Sequence, residues 1–124
     1  MAYEWDNKKP TAQMLGRWQP FHEGHYLLFK KTLKKTGQVC IQVRDVQGVD
    51  DNPFNFETVK FNIEKKLNPE FEGHFKVVLV PNITNICYGR GVGYKIEEIV
   101  LPKDIQEISA TKIRTKMREE GKLK

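Results

Sequence analysis

The sequence predicts an α/β protein, with helices packed on a small, mainly parallel sheet of about five strands. Three observations predict it. Runs rich in β-branched residues, 39–43 and 75–80, alternate with segments of helical spacing, 24–36 and 56–67. The resulting order β-α-β-α-β is that of strands joined by crossover helices, which makes a parallel sheet. The first strand also runs straight into a turn that holds a glycine between two histidines, Gly16-Arg17-Trp18-Gln19-Pro20-Phe21-His22-Glu23-Gly24-His25.

Each element has its own justification. Residues 1–10 read as a flexible N-terminal arm and residues 11–124 as a single domain, since 124 residues suffice for one modest core. Residues 11–15 are short and only partly apolar but end at Gly16, and read as the first strand. Its place at the centre of the sheet is inferred from the helices and strands C-terminal to it, not from its own strength. Residues 24–36 form a helix with Leu27, Leu28, the stem of Lys31 and Leu33 on its apolar face, stopped by Gly37. Residues 39–43, Val-Cys-Ile-Gln-Val, are the second strand. The polar loop 45–55 is long for a strand-to-helix connection, and such loops often carry function.

In the helix 56–67, Val59, Ile63 and Leu67 recur every four residues, and Asn68-Pro69 ends it. Residues 75–80, Phe-Lys-Val-Val-Leu-Val, are the third strand. Beyond it the pattern predicts a short strand at 85–88, a tight turn at 89–93, and either a short helix or a strand over 94–101. The cluster Gly89-Arg90-Gly91-Val92-Gly93 lacks the spacing of a dinucleotide fingerprint. Residues 111–120 form a terminal helix, with Ile113 and Met117 toward the core and Gly121 at its end.

Composition narrows the class. Hydrophobic content of 39% and charged content of 30% are globular values. No apolar run is long enough to cross a membrane, and residues 1–10 hold no signal-peptide core. Cys40 and Cys87 are far apart, without a CxxC, and read as buried thiols of a protein in a reducing cytoplasm. The net charge of +5 includes Lys30, Lys31, Lys34 and Lys35. It suits a small anionic substrate, and nucleic acid is not expected as the main partner. His74, alone beside Gly73, reads as structural or exposed. A zinc site on His22 and His25 would need a third ligand, so no protein-held metal is expected.

The chemistry resides in two motifs. In the first, the opening turn of a helix offers unpaired N–H groups and a favourable dipole to a phosphate. Gly24 lets backbone approach a ligand closely. His22 and His25, three residues apart, share one side of the forming helix. Imidazoles there can donate to phosphoryl oxygens, in bonds that strengthen as charge builds at an α-phosphate. Arg17 can reach a phosphate or steady the loop. Trp18 either stacks on a base or fills the core, with the core reading preferred, while Pro20 and Phe21 set the loop's entry and Glu23 faces solvent. The second motif is Ile108-Ser109-Ala110-Thr111-Lys112-Ile113-Arg114. Ser109 and Thr111 are both suitable helix N-caps. Arg114, in the first turn, opposes the helix dipole unless an anion binds beside it. Both motifs would then face one crevice at the carboxyl ends of the strands.

These residues resemble the HxGH nucleotidyltransferase superfamily, the cytidylyltransferase-like domains, and are similar in motif to archaeal-type nicotinamide-nucleotide adenylyltransferases. Those carry an arginine, Gln-Pro-Phe-His-x-Gly-His, and later Ile-Ser-x-Thr-x-Ile-Arg. Asn52-Pro53-Phe54 followed by Glu57 also resembles the loop after their second strand. The resemblance implies a Rossmann-like α/β/α sandwich. It implies His22, His25 and Arg17 as catalytic residues, and Gly16, Trp18, Phe21, Gly24, Ser109, Thr111 and Arg114 as nucleotide- and phosphate-binding residues. Asn52, Arg90 and Tyr94 are candidates for the acceptor or base pocket. The activity implied is transfer of a nucleoside monophosphate from a triphosphate, ATP in first place, to a small phosphate-bearing acceptor, with Mg²⁺ on the triphosphate and pyrophosphate released. The chain's length is also similar to that of CTP-dependent cytidylyltransferases of the glycerol-phosphate type. Their Gly-Thr-Phe-Asp is here Gly-Arg-Trp-Gln. A non-catalytic nucleotide-binding protein is the remaining alternative, and a homo-oligomer is a further expectation.

Overall fold

A computed structural model describes residues 3–46, 52–90, 93 and 95–121 of the chain. Strand β1 (Ala12–Gly16), helix α1 (Glu23–Thr36), strand β2 (Val39–Arg44), helix α2 (Phe56–Leu67) and strand β3 (Phe75–Val80) come in the expected order. Two further helices, α3 (Lys103–Gln106) and α4 (Ala110–Glu119), complete it. The strands form one parallel sheet in the order β1-β2-β3. Met14 lies opposite Ile41, which lies opposite Val77.

The centre of the sheet arises from the alternation in β2. Val39, Ile41 and Val43 point to one face and are fully buried, together with Phe29 of α1 and Val59, Ile63 and Leu67 of α2. Both long helices therefore bury their apolar stripes on the same side. The opposite face presents Gln13, Cys40, Gln42, Arg44 and Lys76, none of them buried. There Gln13 Nε2 donates to Gln42 Oε1 at 2.6 Å, and Lys76 lies 5.3 Å from the centre of the Trp5 ring.

Residues 3–10 are tied to the domain through Gln38, which is fully buried. Gln38 Oε1 accepts from the Tyr3 hydroxyl (3.1 Å) and the Asp6 N–H (3.3 Å). Its Nε2 donates to Asp6 O and to Thr11 Oγ1. Gly37 ends α1 at φ 92°, its N–H returning to Leu33 O at 2.7 Å, a conformation glycine adopts without cost.

Several expectations are corrected. The sheet has three strands among the described residues, not about five. No strand forms at 85–88, where every residue from 84 to 90 is exposed, and the described residues of 94–101 form neither helix nor strand. Polar residues and glycines leave the first part of that stretch without an alternating apolar face to bury. As a result β1 is an edge strand rather than a central one. Cys87 lies in this stretch and is exposed rather than buried, whereas Cys40 is half-buried and burial pushes its thiol pKa up. In α1 the fully buried side chain is Phe29, not Leu27, Leu28 or Leu33, because Phe29 points at Phe71 and Phe75, with ring centres 5.2 and 5.9 Å away. In α4 Ile113 and Met117 are half-buried and the buried residue is Arg114.

Phe29 joins α1 to β3 and to the turn before it. Phe29→Ala is expected to lower the free energy of unfolding by about 3–5 kcal/mol, the usual cost of emptying an aromatic site. Urea titration read by circular dichroism checks this, and a loss below about 1 kcal/mol would show that the neighbouring rings collapse into the space.

Candidate active site

The site begins where β1 ends. Trp18 takes φ 55°, the left-handed region that bulky residues avoid. Its indole is 7% exposed, and Nε1 donates to Gln42 O at 3.0 Å. The ring lies over Gly16, where a β-carbon would stand 2.8 Å from it, so only glycine fits at the end of β1. Trp18 and Phe21 are both core residues, in keeping with the core reading of Trp18. They also wall the His25 ring, with centres 4.8 and 5.4 Å away.

The two histidines cap α1 reciprocally. His22 is the N-cap, and its Nδ1 accepts from the Gly24 N–H at 3.0 Å. His25 Nδ1 accepts from the His22 N–H at 3.1 Å. Two orphan donors of the helix start are thereby satisfied, in the manner of a capping box built from imidazoles. The rings stack with centres 3.6 Å apart and planes 21° from parallel. Gly24 is required for this fold-back, because a β-carbon there would come within 2.8 Å of His22 Cε1.

The caps fix protonation. An Nδ1 that accepts carries no proton, so each neutral ring holds its proton on Nε2, where it can be donated to a ligand. Burial lowers the pKa of His25 from 6.5 to about 3, helped by His22 beside it. Burial also lowers that of His22, with Lys66 acting in the same sense and Glu23 opposing. Lys66 of α2 pairs with Glu23 across the helix start. Both rings are therefore neutral donors near pH ~7.

The second motif meets the first. Ser109 caps α4, accepting from the Lys112 N–H at 3.4 Å, while Thr111 is exposed. Arg114 is 3% exposed and reaches across the site. Its Nη1 donates to Gln19 O at 2.5 Å and its Nη2 to Thr111 Oγ1 at 3.2 Å. A main-chain carbonyl thus answers part of the charge for which the sequence suggested an anion. A cleft of about 350 Å³ is lined by Gly16, Arg17, Gln19 and His25 from the first motif and by Ala110 and Arg114 from the second. Among the described residues of its lining, Arg17 and Arg114 are cations and none is a carboxylate. A cleft of about 390 Å³ beside it, along the open edge of β1, shares Leu15, Trp18 and Leu28 with it and is walled beyond by Glu97 and Ile99.

His22, Ser109 and Thr111 do not line the cleft between the motifs, nor do the proposed acceptor residues Asn52 and Arg90. Asn52 is half-buried and Arg90 is exposed. Tyr94 lies outside the described residues. His74 is structural, with Nδ1 2.9 Å from Gly37 O and its ring stacked on Tyr3 at 4.1 Å. On residue type alone Gln19 can touch a phosphate, a base or backbone; it is 2% exposed and its side chain binds backbone. Its Nε2 donates to Phe54 O and its Oε1 accepts from the Phe54 N–H, each at 2.9 Å.

The lowered His25 pKa makes stability depend on pH. As pH falls from about 6.5 toward 3, the unfolded chain takes up a proton that native His25 refuses, so the folded state loses stability over that window. His25→Gln removes this contribution. The stability difference between wild type and His25→Gln is expected to move against the wild type as pH drops from about 7 to about 4. Thermal melts of both proteins across that range check it, and parallel curves would show that His25 titrates normally.

No protein-family model matches the chain and no curated protein matches it significantly, so the functional reading rests on the chemistry of this site.

Proposed function

We propose that this protein is a nucleotidyltransferase. It takes a nucleoside triphosphate, ATP first, and transfers the nucleoside monophosphate to a small phosphate-bearing acceptor. The observation that carries this reading is the stacked His22–His25 pair at a helix start, each ring accepting at Nδ1, with His25 lining a cleft that also holds Arg17 and Arg114. Uncharged donors joined to fixed cations suit a triphosphate whose α-phosphate gains charge as the reaction proceeds. The finer fold reading that accompanies this is a Rossmann-like domain, with the site at the carboxyl ends of its strands.

In the reaction an oxygen of the acceptor phosphate attacks the α-phosphorus. The new O–P bond forms as the bond to the β-phosphate oxygen breaks, and pyrophosphate leaves. No proton needs to be removed from the nucleophile, which is already an anion. His22 and His25 donate to the α-phosphoryl oxygens, Arg17 holds the triphosphate, and Ser109, Thr111 and Arg114 serve its distal phosphates. Mg²⁺ enters as part of the triphosphate substrate. A cytosolic enzyme that acts as a homo-oligomer is consistent with this reading.

Isothermal titration of the protein with MgATP and MgCTP tests the substrate class. Binding of MgATP in preference supports adenylyl transfer, with nicotinamide mononucleotide the first acceptor to try. Binding of MgCTP in preference moves the acceptor to glycerol phosphate, and binding of neither overturns the proposal. His22→Asn tests the chemistry, because Asn keeps a side-chain N-cap acceptor while removing the imidazole donor. It is expected to retain the wild-type melting temperature within a few degrees and to lower turnover about 100-fold, as loss of one oxyanion donor does. Pyrophosphate release measures this, and unchanged turnover would remove His22 from the mechanism.

A further inference from the structure

Three segments distant in sequence converge on one buried residue. Gln19 stands in the loop after β1. Both polar atoms of its carboxamide are spent on the backbone of Phe54, in the loop before α2. Its own carbonyl accepts from Arg114 in α4. The next residue after Phe54 is Asn55, the N-cap of α2, whose Oδ1 accepts from the Thr58 N–H at 2.9 Å. One residue therefore holds the backbone of the 52–55 loop and, together with Thr111, the Arg114 guanidinium, and it does so in the wall of the cleft.

We infer that Gln19 is a positioning residue that couples the loop at 52–55 to the triphosphate side of the site, so that binding at one is felt at the other. The inference rests on the proposed nucleotidyltransferase reading. A buried amide with both its polar atoms satisfied by one backbone unit holds register as well as volume. An apolar side chain of the same length would hold only the volume. The clasp has no give in two directions, because each atom of the carboxamide is engaged at 2.9 Å. A triphosphate that draws on Arg114 competes with the Gln19 carbonyl for the guanidinium and loads the loop through the same residue. The segment that responds carries Asn52, whose Oδ1 is buried without a hydrogen-bond partner among the described residues.

Hydrogen exchange read by mass spectrometry, with and without MgATP and MgCTP, tests this on wild type and Gln19→Met. Met fills the volume and leaves the main-chain carbonyl to Arg114, but removes both bonds to Phe54. In the wild type, nucleotide is expected to slow exchange in residues 16–25, 108–116 and 52–58. In Gln19→Met the first two responses are expected to persist at saturating nucleotide and the third to disappear. A purely structural role would change the basal exchange of 52–58 without abolishing its response to nucleotide. If Gln19→Met does not fold, Gln19→Glu replaces it, keeping the acceptor for the Phe54 N–H and losing the donor. A wild type that responds at 16–25 and 108–116 but not at 52–58 overturns the coupling and leaves the proposed function standing, as does a variant whose 52–58 response is undiminished. A wild type that responds nowhere to either nucleotide overturns both.

Discussion

The turn at Trp18 is the constraint on which the site depends. A bulky residue held at φ 55° costs about 1–3 kcal/mol, and it persists only where its surroundings overdetermine it. Here they do. The indole is nearly sealed from solvent, its N–H reaches the Gln42 carbonyl, and its ring occupies the space that Gly16 leaves open. Burying an aromatic side chain stabilises by about 1.5–3 kcal/mol, the same size as the strain. The chain is thereby reversed just beyond the end of β1. Gln19 then points inward, and the chain enters α1 with His22 at its cap.

That reversal dictates the electrostatics. The aromatic rings that secure the turn are the same rings that enclose His25, so the packing that holds the loop also strips water from the imidazole. The helix start adds a second demand. Its orphan N–H groups must be met, and Nδ1 of each histidine meets one. Protonating either Nδ1 would break a cap as well as bury a charge. Burial and capping therefore act in one direction, toward neutral rings with the proton on Nε2.

How much of this is legible in the sequence varies with the physical origin of each feature. Strand β2 and helix α2 are readable because periodicity reports burial directly: Val39, Ile41 and Val43 at every second position, and Val59, Ile63 and Leu67 at every fourth. The convergence of the two motifs is readable because both sit at helix starts, and Ser109 is a suitable cap on residue type alone. Phe29 escapes such a reading because Leu27, Leu28 and Leu33 offer a competing stripe, and only the position of Phe71 and Phe75 decides which face turns inward. Arg114 reads as anion-facing because its charge is local information, whereas the Gln19 carbonyl that answers it lies 95 residues away in sequence. Gln19 opens the Gln-Pro-Phe-His motif, but the motif does not say what its side chain binds. Both of its partners on Phe54 are backbone atoms, which every residue has. The isoleucines and valine of the stretch after β3 suggest strand, but Ile86, Ile96 and Val100 remain exposed without a second apolar layer to cover them.

Neutral histidines have a consequence for how such a site could work. A cationic imidazole binds a triphosphate strongly in the ground state, and attraction felt equally before and during reaction does not accelerate the chemical step. A neutral Nε2–H attracts the ground-state oxygen modestly and gains as negative charge accumulates on it. Under the proposed function, the charge that holds the substrate is carried instead by the two arginines of the cleft. The separation has a structural cause in this chain. Arg17 is exposed at the loop and Arg114 is anchored from α4, while the imidazoles stack on each other at the start of α1, with His25 walled by Trp18 and Phe21. Under the proposed function, the binding charge then comes from the loop after β1 and from α4, and the reaction-sensitive donors from the start of α1.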